Sequence, residues 1–429
     1  MTDAPAYTAR ERLAALAYAQ VNPQEVVRVA CAVEDDIHGD GDGDDAVDER
    51  QQRALSDILR VLCARGGKPY ASRVCRAAFK AVERGDGGWT RATDALADVM
   101  AEASDVDAHD IDGDAEGWRT KVYLYRALDV SREVVIAHRE GDAGRRLLCD
   151  LDAVEARVQM NALAGSTGAF AWSAGFVMSE FAMSCPECVR DRRVIELGSG
   201  AGVCGAVLAR LRPRALVLTD RDESTLENLA RNVRANADGV NDANVPSRAY
   251  AVTFDAIDAP VVDDVSRVSI RALDWGRMSA RDARALSPDV VLAADCAYDP
   301  DLIPSLVHAI RTLLDHSGRD ASTDCGSFTT SSWSVDDARA FFLDDAPQRR
   351  SSPCAIVVSA VRQPKTMDVL INALVHDGAL HVRDITSAFA WLPIRFAHGD
   401  AERAHALDDC RAFLCTTAMA HDGDDDECT

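Results

Sequence analysis

The chain has 429 residues, 47% of them apolar, and a formal net charge of −23. That apolar share is enough for a large core and for two domains. The acidic balance argues against broad binding to phosphate backbones, so no nucleic-acid partner is expected, and it suits a basic protein partner instead. The first twelve residues are polar and no apolar run approaches the ~18 residues of a membrane span, which predicts a cytoplasmic protein without a membrane partner.

Thirteen cysteines stand at irregular spacing, as expected of free thiols in a reducing compartment. Cys185-Pro-Glu-Cys188 is the only C-x-x-C and has no second pair at zinc spacing. It reads as a helix-to-strand loop, and no metal is predicted.

Residues 1–116 read as a helical region with acidic linkers. Apolar residues recur at helical spacing over 11–20, 53–63, 71–82 and 90–100. Asp/Gly-rich tracts at 38–46 and 104–115 interrupt them. The first lacks the acid-and-glycine order of a calcium loop closed by Glu, so both read as linkers. From residue 117 the period shifts towards strands. Segments 122–125, 133–137 and 157–161 predict a small antiparallel meander within 117–164, at the front of a larger α/β domain spanning 117–421. An apolar helix follows Trp172 and runs to about residue 183. The last eight residues, 422–429, form an acidic tail.

Residues 192–220 carry the densest signal. An apolar strand, Val194-Ile-Glu-Leu197, enters the glycine run Gly198-Ser-Gly-Ala-Gly202. An Ala/Val/Leu-rich helix and a second strand, ending on Asp220, follow. Strand, tight turn, helix and strand open a doubly wound α/β sheet. Glycines let the backbone lie against a ligand, and an acid ending the second strand can accept from ribose hydroxyls. Two cofactors compete for this stretch. Gly200-Ala-Gly202-Val-Cys-Gly205 fits the dinucleotide pattern of an NAD(P)-dependent oxidoreductase, which alone is a weak match. Glu196-x-Gly198-x-Gly200-x-Gly202 fits S-adenosylmethionine, whose cationic methionine end suits the acid at the strand tip. A pyrophosphate there would be repelled, so the methyl donor is the preferred reading.

Downstream, strands are predicted at 268–273, 289–294, 354–361, 380–385 and 411–415, making seven with the first two. Residues 236–264 read as an acidic insertion, and 315–353 as a long polar loop with a possible helix at 335–343. Gly198, Asp220, Trp275 and Asp295 all fall at carboxyl ends of strands, where α/β sheets bind ligands.

Together, Glu196-Leu-Gly-Ser-Gly-Ala-Gly202, Leu273-Asp274-Trp275, Ala294-Asp295-Cys-Ala-Tyr298 and the upstream Thr167-Gly168-x3-Trp172 resemble the seven-strand, class I protein lysine methyltransferases of the methyltransferase-16 group. Leu211-Arg-Pro-Arg-Ala215, Ala360-Val-Arg362-Gln-Pro364-Lys-Thr366 and the stretch Lys68-Pro-Tyr-Ala-Ser-Arg-Val-Cys75 are similar to the elongation factor 2 lysine methyltransferase family. The resemblance covers about 165–418 and implies a seven-stranded Rossmann-like fold with a helical N-terminal extension. It implies that Glu196, Gly198, Ser199 and Gly200, with the motif's last glycine Gly202, hold the methionine end of S-adenosylmethionine, and Asp220 the ribose. Asp274 and Trp275 border the adenine, and Trp172 and Ala294 complete the pocket. Asp295 and Tyr298 then form the mouth where the acceptor lysine meets the methyl group, Asp295 orienting the amine.

The implied protein partner is translation elongation factor 2. Another protein such as a chaperone, or a non-catalytic cofactor-binding role, is the alternative. Asp295-Cys-Ala-Tyr298 is not the Asn/Asp-Pro-Pro-Tyr/Phe motif of amide and adenine methylation, which lowers the standing of those substrates. Asp295 lies too far upstream to cap a helix starting near residue 302; Asp299 or Asp301 is better placed. Because the catalytic unit is complete without it, the N-terminal region reads as a substrate-docking module.

Overall fold

The computed structural model describes residues 8–33, 44–85, 89–104, 117–125, 152–159, 167–237, 250–315, 327–330, 332–343, 353–377, 380–389, 392–398 and 410–417. The predicted meander strand at 133–137, the acidic tail and most of the two predicted linkers lie outside the described residues. Residue contacts divide the chain into two compact units. One comprises Met1–Phe170, Asp238–Ser247 and Pro393–Ala404; the other comprises Ala171–Ala237, Arg248–Leu392 and His405–Thr429.

The first unit opens with α1 (Ala9–Tyr18), α2 (Pro23–Ala30), α3 (Asp44–Leu62), α4 (Lys68–Arg84) and α5 (Asp94–Ser104). Thr8 and Glu11 start α1 with a reciprocal capping box, and Asn22 with Pro23 starts α2. Helix α2 is absent from the periodicity reading because eight residues hold too few apolar repeats, although its start signal is legible. Helix α3 begins at Asp44, inside the tract predicted as a linker, and passes through one π turn, Cys63–Gly67, into α4. Leu13 and Leu16 of α1, Leu55 and Leu59 of α3, and Val74 and Ala78 of α4 share one buried cluster with Trp89.

Strands β1 (Trp118–Tyr125) and β2 (Asp152–Gln159) pair antiparallel, from Trp118↔Gln159 to Tyr125↔Asp152. Val122 and Leu124 join the helical cluster, and Gln20 Nε2 donates to Thr120 O at 2.9 Å. The hairpin that the sequence places at the front of the α/β domain therefore packs on the helices. Its alternating apolar face has the α1 side to cover, which a period-two pattern alone does not disclose.

The second unit is an α/β sandwich around a nine-stranded sheet. In chain order its strands are β3 (Arg193–Leu197), β4 (Ala215–Asp220), β5 (Ala251–Phe254), β6 (Arg267–Ala272), β7 (Val290–Ala294), β8 (Ser327–Thr329), β9 (Cys354–Ala360), β10 (His381–Asp384) and β11 (Cys410–Thr416). Their spatial order is β5-β6-β4-β3-β7-β9-β11-β10-β8, with β11 alone running against the rest. Side chains alternate between two cores. Val194, Val290, Leu292, Ile356 and Val358 face one; Ile195, Val291, Val357 and Phe413 face the other. Helices α6 (Ser173–Ser184), α7 (Val203–Arg210) and α8 (Glu223–Ala235) cover the first face. Helices α9 (Ala280–Leu286), α10 (Ile303–Leu314) and α12 (Pro364–Asn372) cover the second. Burial of central strands on both sides explains their near-continuous apolar runs.

All seven predicted strands lie in this Rossmann-like sheet. The two added strands come from the segments read as insertions. Strand β5 edges the sheet within 236–264, where its half-exposed residues give no periodic signal. Strand β8 and helix α11 (Val335–Leu343) come from 315–353, and Trp333, Ala338 and Phe342 bury themselves in the first core.

In the helical unit, the buried Gln51 holds three partners: it accepts from Trp89 Nε1 at 2.8 Å and donates to Cys31 O and Val33 O. Leaving a buried polar group unmatched costs about 1–3 kcal/mol. Gln51→Leu keeps the volume and orphans the indole N–H, so it should lower stability by roughly 3 kcal/mol. A denaturant melt checks this; an unchanged midpoint would show that water replaces the amide.

Candidate active site at the carboxyl end of the sheet

The strand order reverses beside β3, with β4 on one side and β7 on the other. Loops leaving β3 and β7 diverge at such a point and leave a crevice beyond the strand ends. The β3–α7 turn lines it. Gly198, Gly200 and Gly202 have φ of +63°, +51° and +77°, the left-handed region that glycine enters without steric cost. Space matters as much as angle. A Cβ on Gly198 would stand 2.8 Å from Cys296 Sγ and 3.1 Å from the Trp275 ring, and one on Gly202 would stand 2.4 Å from Leu229 Cδ1. Ser199 N donates to Thr219 O at 2.8 Å and Gly202 N to Ser199 O at 2.8 Å, which closes the turn.

Asp220, at the end of β4, accepts from Gly200 N at 3.0 Å and from Arg221 N at 2.7 Å. It is thereby tied to the glycine turn and keeps acceptor capacity on each oxygen. Burial raises its pKa, partly offset by those backbone N–H groups. Glu196 on β3 is 3% exposed, and among the described residues its Oε2 has no hydrogen-bond partner. Burial pushes its carboxyl up to about 7, against the opposing hydrogen bonds of Ser199 and Cys204 and with a smaller push from Asp220. Two carboxyls with raised pKa values at one crevice mark a place suited to positive charge.

Trp275 lies in a short turn, Trp275–Arg277, with its ring edge against Gly198. The neighbouring Asp274 caps that turn, accepting from Gly276 N at 3.1 Å. Ala294 ends β7, and Cys296 beyond it is buried, its thiol donating to Leu197 O at 3.1 Å. Neither Asp299 nor Asp301 caps α10; Asp299 accepts from Asp301 N within the preceding turn.

Asp295 is held differently from the sequence expectation of an open mouth. Its φ is +58°, its N donates to Val358 O at 2.8 Å, and its side chain is 1% exposed. Arg362 Nη1 donates to Oδ1 at 2.9 Å and Nη2 to Oδ2 at 2.8 Å, and Ala360 N adds a bond to Oδ1 at 3.2 Å. The same guanidinium lies 4.9 Å from the centroid of the Trp172 ring. Trp172 is 37% exposed and the Arg362 side chain 40%; Tyr298, three residues past Asp295, is 42% exposed. Arg362 is the residue that sequence reasoning missed. Its signal was a lone cation two residues past the end of β9, opposite an acid past the end of β7. Thr167 and Gly168 form a separate short turn within the first unit.

The buried Glu196 gives a pH-dependent prediction. Its native carboxyl keeps a proton that the unfolded chain releases from about pH 4.5 upwards. Stability should therefore fall as pH rises from 4.5 to 7 and stay reduced above 7. Glu196→Gln removes this effect and should be more stable than wild type by roughly 3 kcal/mol at pH 8, and equal to it near pH 4. Chemical denaturation across pH checks this; an equal gap at both ends would mean the carboxyl does not titrate in this window.

Residues 151–251 and 254–323 match the lysine methyltransferase family. Over 150 residues the chain is 35% identical to the human protein-lysine N-methyltransferase EEF2KMT, covering 35% of this chain and 41% of that protein. Over 152 residues it is 37% identical to the Bos taurus protein-lysine N-methyltransferase EEF2KMT, covering 35% and 43%. The matched stretch thus spans less than half the length of these curated relatives. Among solved structures, the CcbJ methyltransferase of Streptomyces caelestis aligns with 59% of this chain and 94% of its own, at 13% identity and a TM-score of 0.31. By its glycine turn and these sequence matches, the stretch from 151 to 323 is similar to the lysine methyltransferase family.

Proposed function

We propose that the chain is an S-adenosylmethionine-dependent protein-lysine N-methyltransferase of the cytoplasm that acts on translation elongation factor 2. One observation carries the reading: a turn of three left-handed glycines tied to the acid that ends the next strand, Gly200 N to Asp220 Oδ2 at 3.0 Å. The elongation factor assignment draws its support from the likeness to the EEF2KMT proteins.

The residues present fit a cationic, adenosine-bearing group. Glu196 offers a buried oxygen without a hydrogen-bond partner among the described residues, which favours a positive ligand and disfavours a pyrophosphate. Asp220 has acceptor capacity left for ribose hydroxyls. Trp275 offers a half-buried ring for a flat base, packed with the Cys296 thiol against the bare Cα of Gly198. On this reading Gly198, Ser199, Gly200 and Gly202 form the turn that faces the ligand, Asp274 holds Trp275's turn and Ala294 borders the site at the end of β7. Bound S-adenosylmethionine would supply an electrophilic methyl group on a sulfonium.

The chain's own part is alignment and exclusion of water. In-line displacement gains most from holding the reacting atoms at ~3–3.5 Å. A lysine reacts only as its neutral amine, and its ordinary pKa is about 10.4. Trp172, Tyr298 and Arg362 are the exposed side chains we assign to the acceptor end, and the positive charge of Arg362 disfavours an ammonium there relative to the neutral amine.

Purified elongation factor 2 incubated with the chain and labelled S-adenosylmethionine should gain methyl groups on lysine, located by peptide mass spectrometry. Asp220→Asn should weaken cofactor binding about 10- to 100-fold, the worth of one charge-assisted hydrogen bond. Label on a different cytosolic protein would remove elongation factor 2 alone. No label on any protein, despite cofactor binding, would remove the enzyme.

A further inference from the structure

The geometry points to Arg362 as the positioning residue of the acceptor end: its guanidinium, and not the Asp295 carboxylate, faces the incoming lysine, and Asp295 acts through it. This rests on the methyltransferase reading above. Four observations carry it. The Asp295 side chain is 1% exposed, so an amine cannot reach it while Arg362 is in place. Both carboxylate oxygens are taken by the arginine fork, with Ala360 N adding a third bond. The guanidinium itself is 40% exposed and stacks on Trp172 at 4.9 Å, so it joins two groups assigned to the site. Finally, Asp295 sits at φ +58°, a conformation that asparagine and aspartate tolerate better than most residues but that still needs support from its surroundings.

One side chain thus links three separate pieces of the crevice: the exit of β7 through Asp295, the exit of β9 through its own backbone, and the entry to α6 through Trp172. A planar fork can do this and an ammonium cannot, because only the guanidinium is bidentate and stacks on a ring at once. The exposed positive edge also disfavours an arriving ammonium and favours the neutral amine, the form that can attack. Asp295, already neutralised, fixes the direction of the fork.

The test compares wild type with Asp295→Asn, Arg362→Gln and the double variant, using labelled S-adenosylmethionine and elongation factor 2, or whichever cytosolic protein wild type labels. Misplacement by about 1 Å costs about 100-fold. Each single variant should therefore lose about 100-fold in kcat, with acceptor KM and cofactor Kd changed by less than about threefold. The double variant should be no worse than the weaker single, because one unit has been broken twice. Losses that multiply would overturn the inference, and so would an Arg362→Gln enzyme with full turnover beside an inactive Asp295→Asn.

Arg362→Gln can fail to fold because it leaves a buried carboxylate unpaired. Arg362→Lys retains the charge and serves in its place. It should still lose at least tenfold in kcat, since it keeps neither fork nor stack; wild-type turnover would show that a bare charge suffices and would sink the idea. A wild type that labels nothing would bring down the methyltransferase reading and this inference with it, whereas active wild type with indifferent variants would bring down this inference alone.

Discussion

The absence of side-chain volume at Gly198 and Gly202 is the constraint on which the ligand edge is built. At those two positions a single methyl group would collide with Cys296 or Leu229, and the backbone sits where other residues are strained. Because the turn is that tight, Ser199 N reaches Thr219 O and Gly200 N reaches the Asp220 carboxylate. Strand β4 is thereby locked to the turn by its last two residues as well as by its ladder with β3. Trp275 and Cys296 then close on Gly198 from the ends of β6 and β7. Moving the turn outward by the width of a methyl group would separate all four.

Charge is placed at this edge with different degrees of compensation. Asp295 is matched by a guanidinium and a backbone N–H; Asp220 is matched by backbone N–H groups alone; Glu196 leaves one oxygen unmatched. An unmatched buried carboxylate costs free energy and responds by holding its proton. A cation arriving beside it would relieve that cost, so the least satisfied acid is the one best suited to a positive ligand. The most satisfied acid, Asp295, has least to gain from a further partner. On the reading proposed above, this gradient puts the cofactor's positive end at Glu196 and leaves Asp295 to the acceptor side.

The cofactor side was legible in the sequence because it is local. Glu196, the glycines and Asp220 fall within 25 consecutive residues, and strand, turn and helix signals bracket them. The sheet was legible for the same reason: central strands are apolar on both faces and short enough to recognise. Strands β5 and β8 were not, because an edge strand with exposed residues lacks the burial that creates a pattern. Helix α2 and the packing of the β1–β2 hairpin were missed for related reasons. The first is too short for periodicity, and the second depends on Gln20, Leu13 and Leu16, about a hundred residues upstream. That packing also bears on the boundary drawn at residue 116, since a cut there would part β1 from the helices that cover it.

The acceptor side could not have been read in the same way. Trp172, Asp295 and Arg362 come from three elements, with 67 residues between the acid and the arginine and a longer gap to the tryptophan. Each lies in a stretch that carries the family resemblance, but nothing in those separate stretches says that the cation after one strand pairs with the acid after another and stacks on the aromatic before a helix. Only the order of strands, which puts β9 beside β7, brings them together. Once they are adjacent, the reading of Asp295 changes in kind. From sequence it is a free carboxylate at the mouth of a channel; in the fold it is a buried anchor beneath a guanidinium. The exposed groups joined to that anchor are then a cation and an aromatic ring, Arg362 and Trp172.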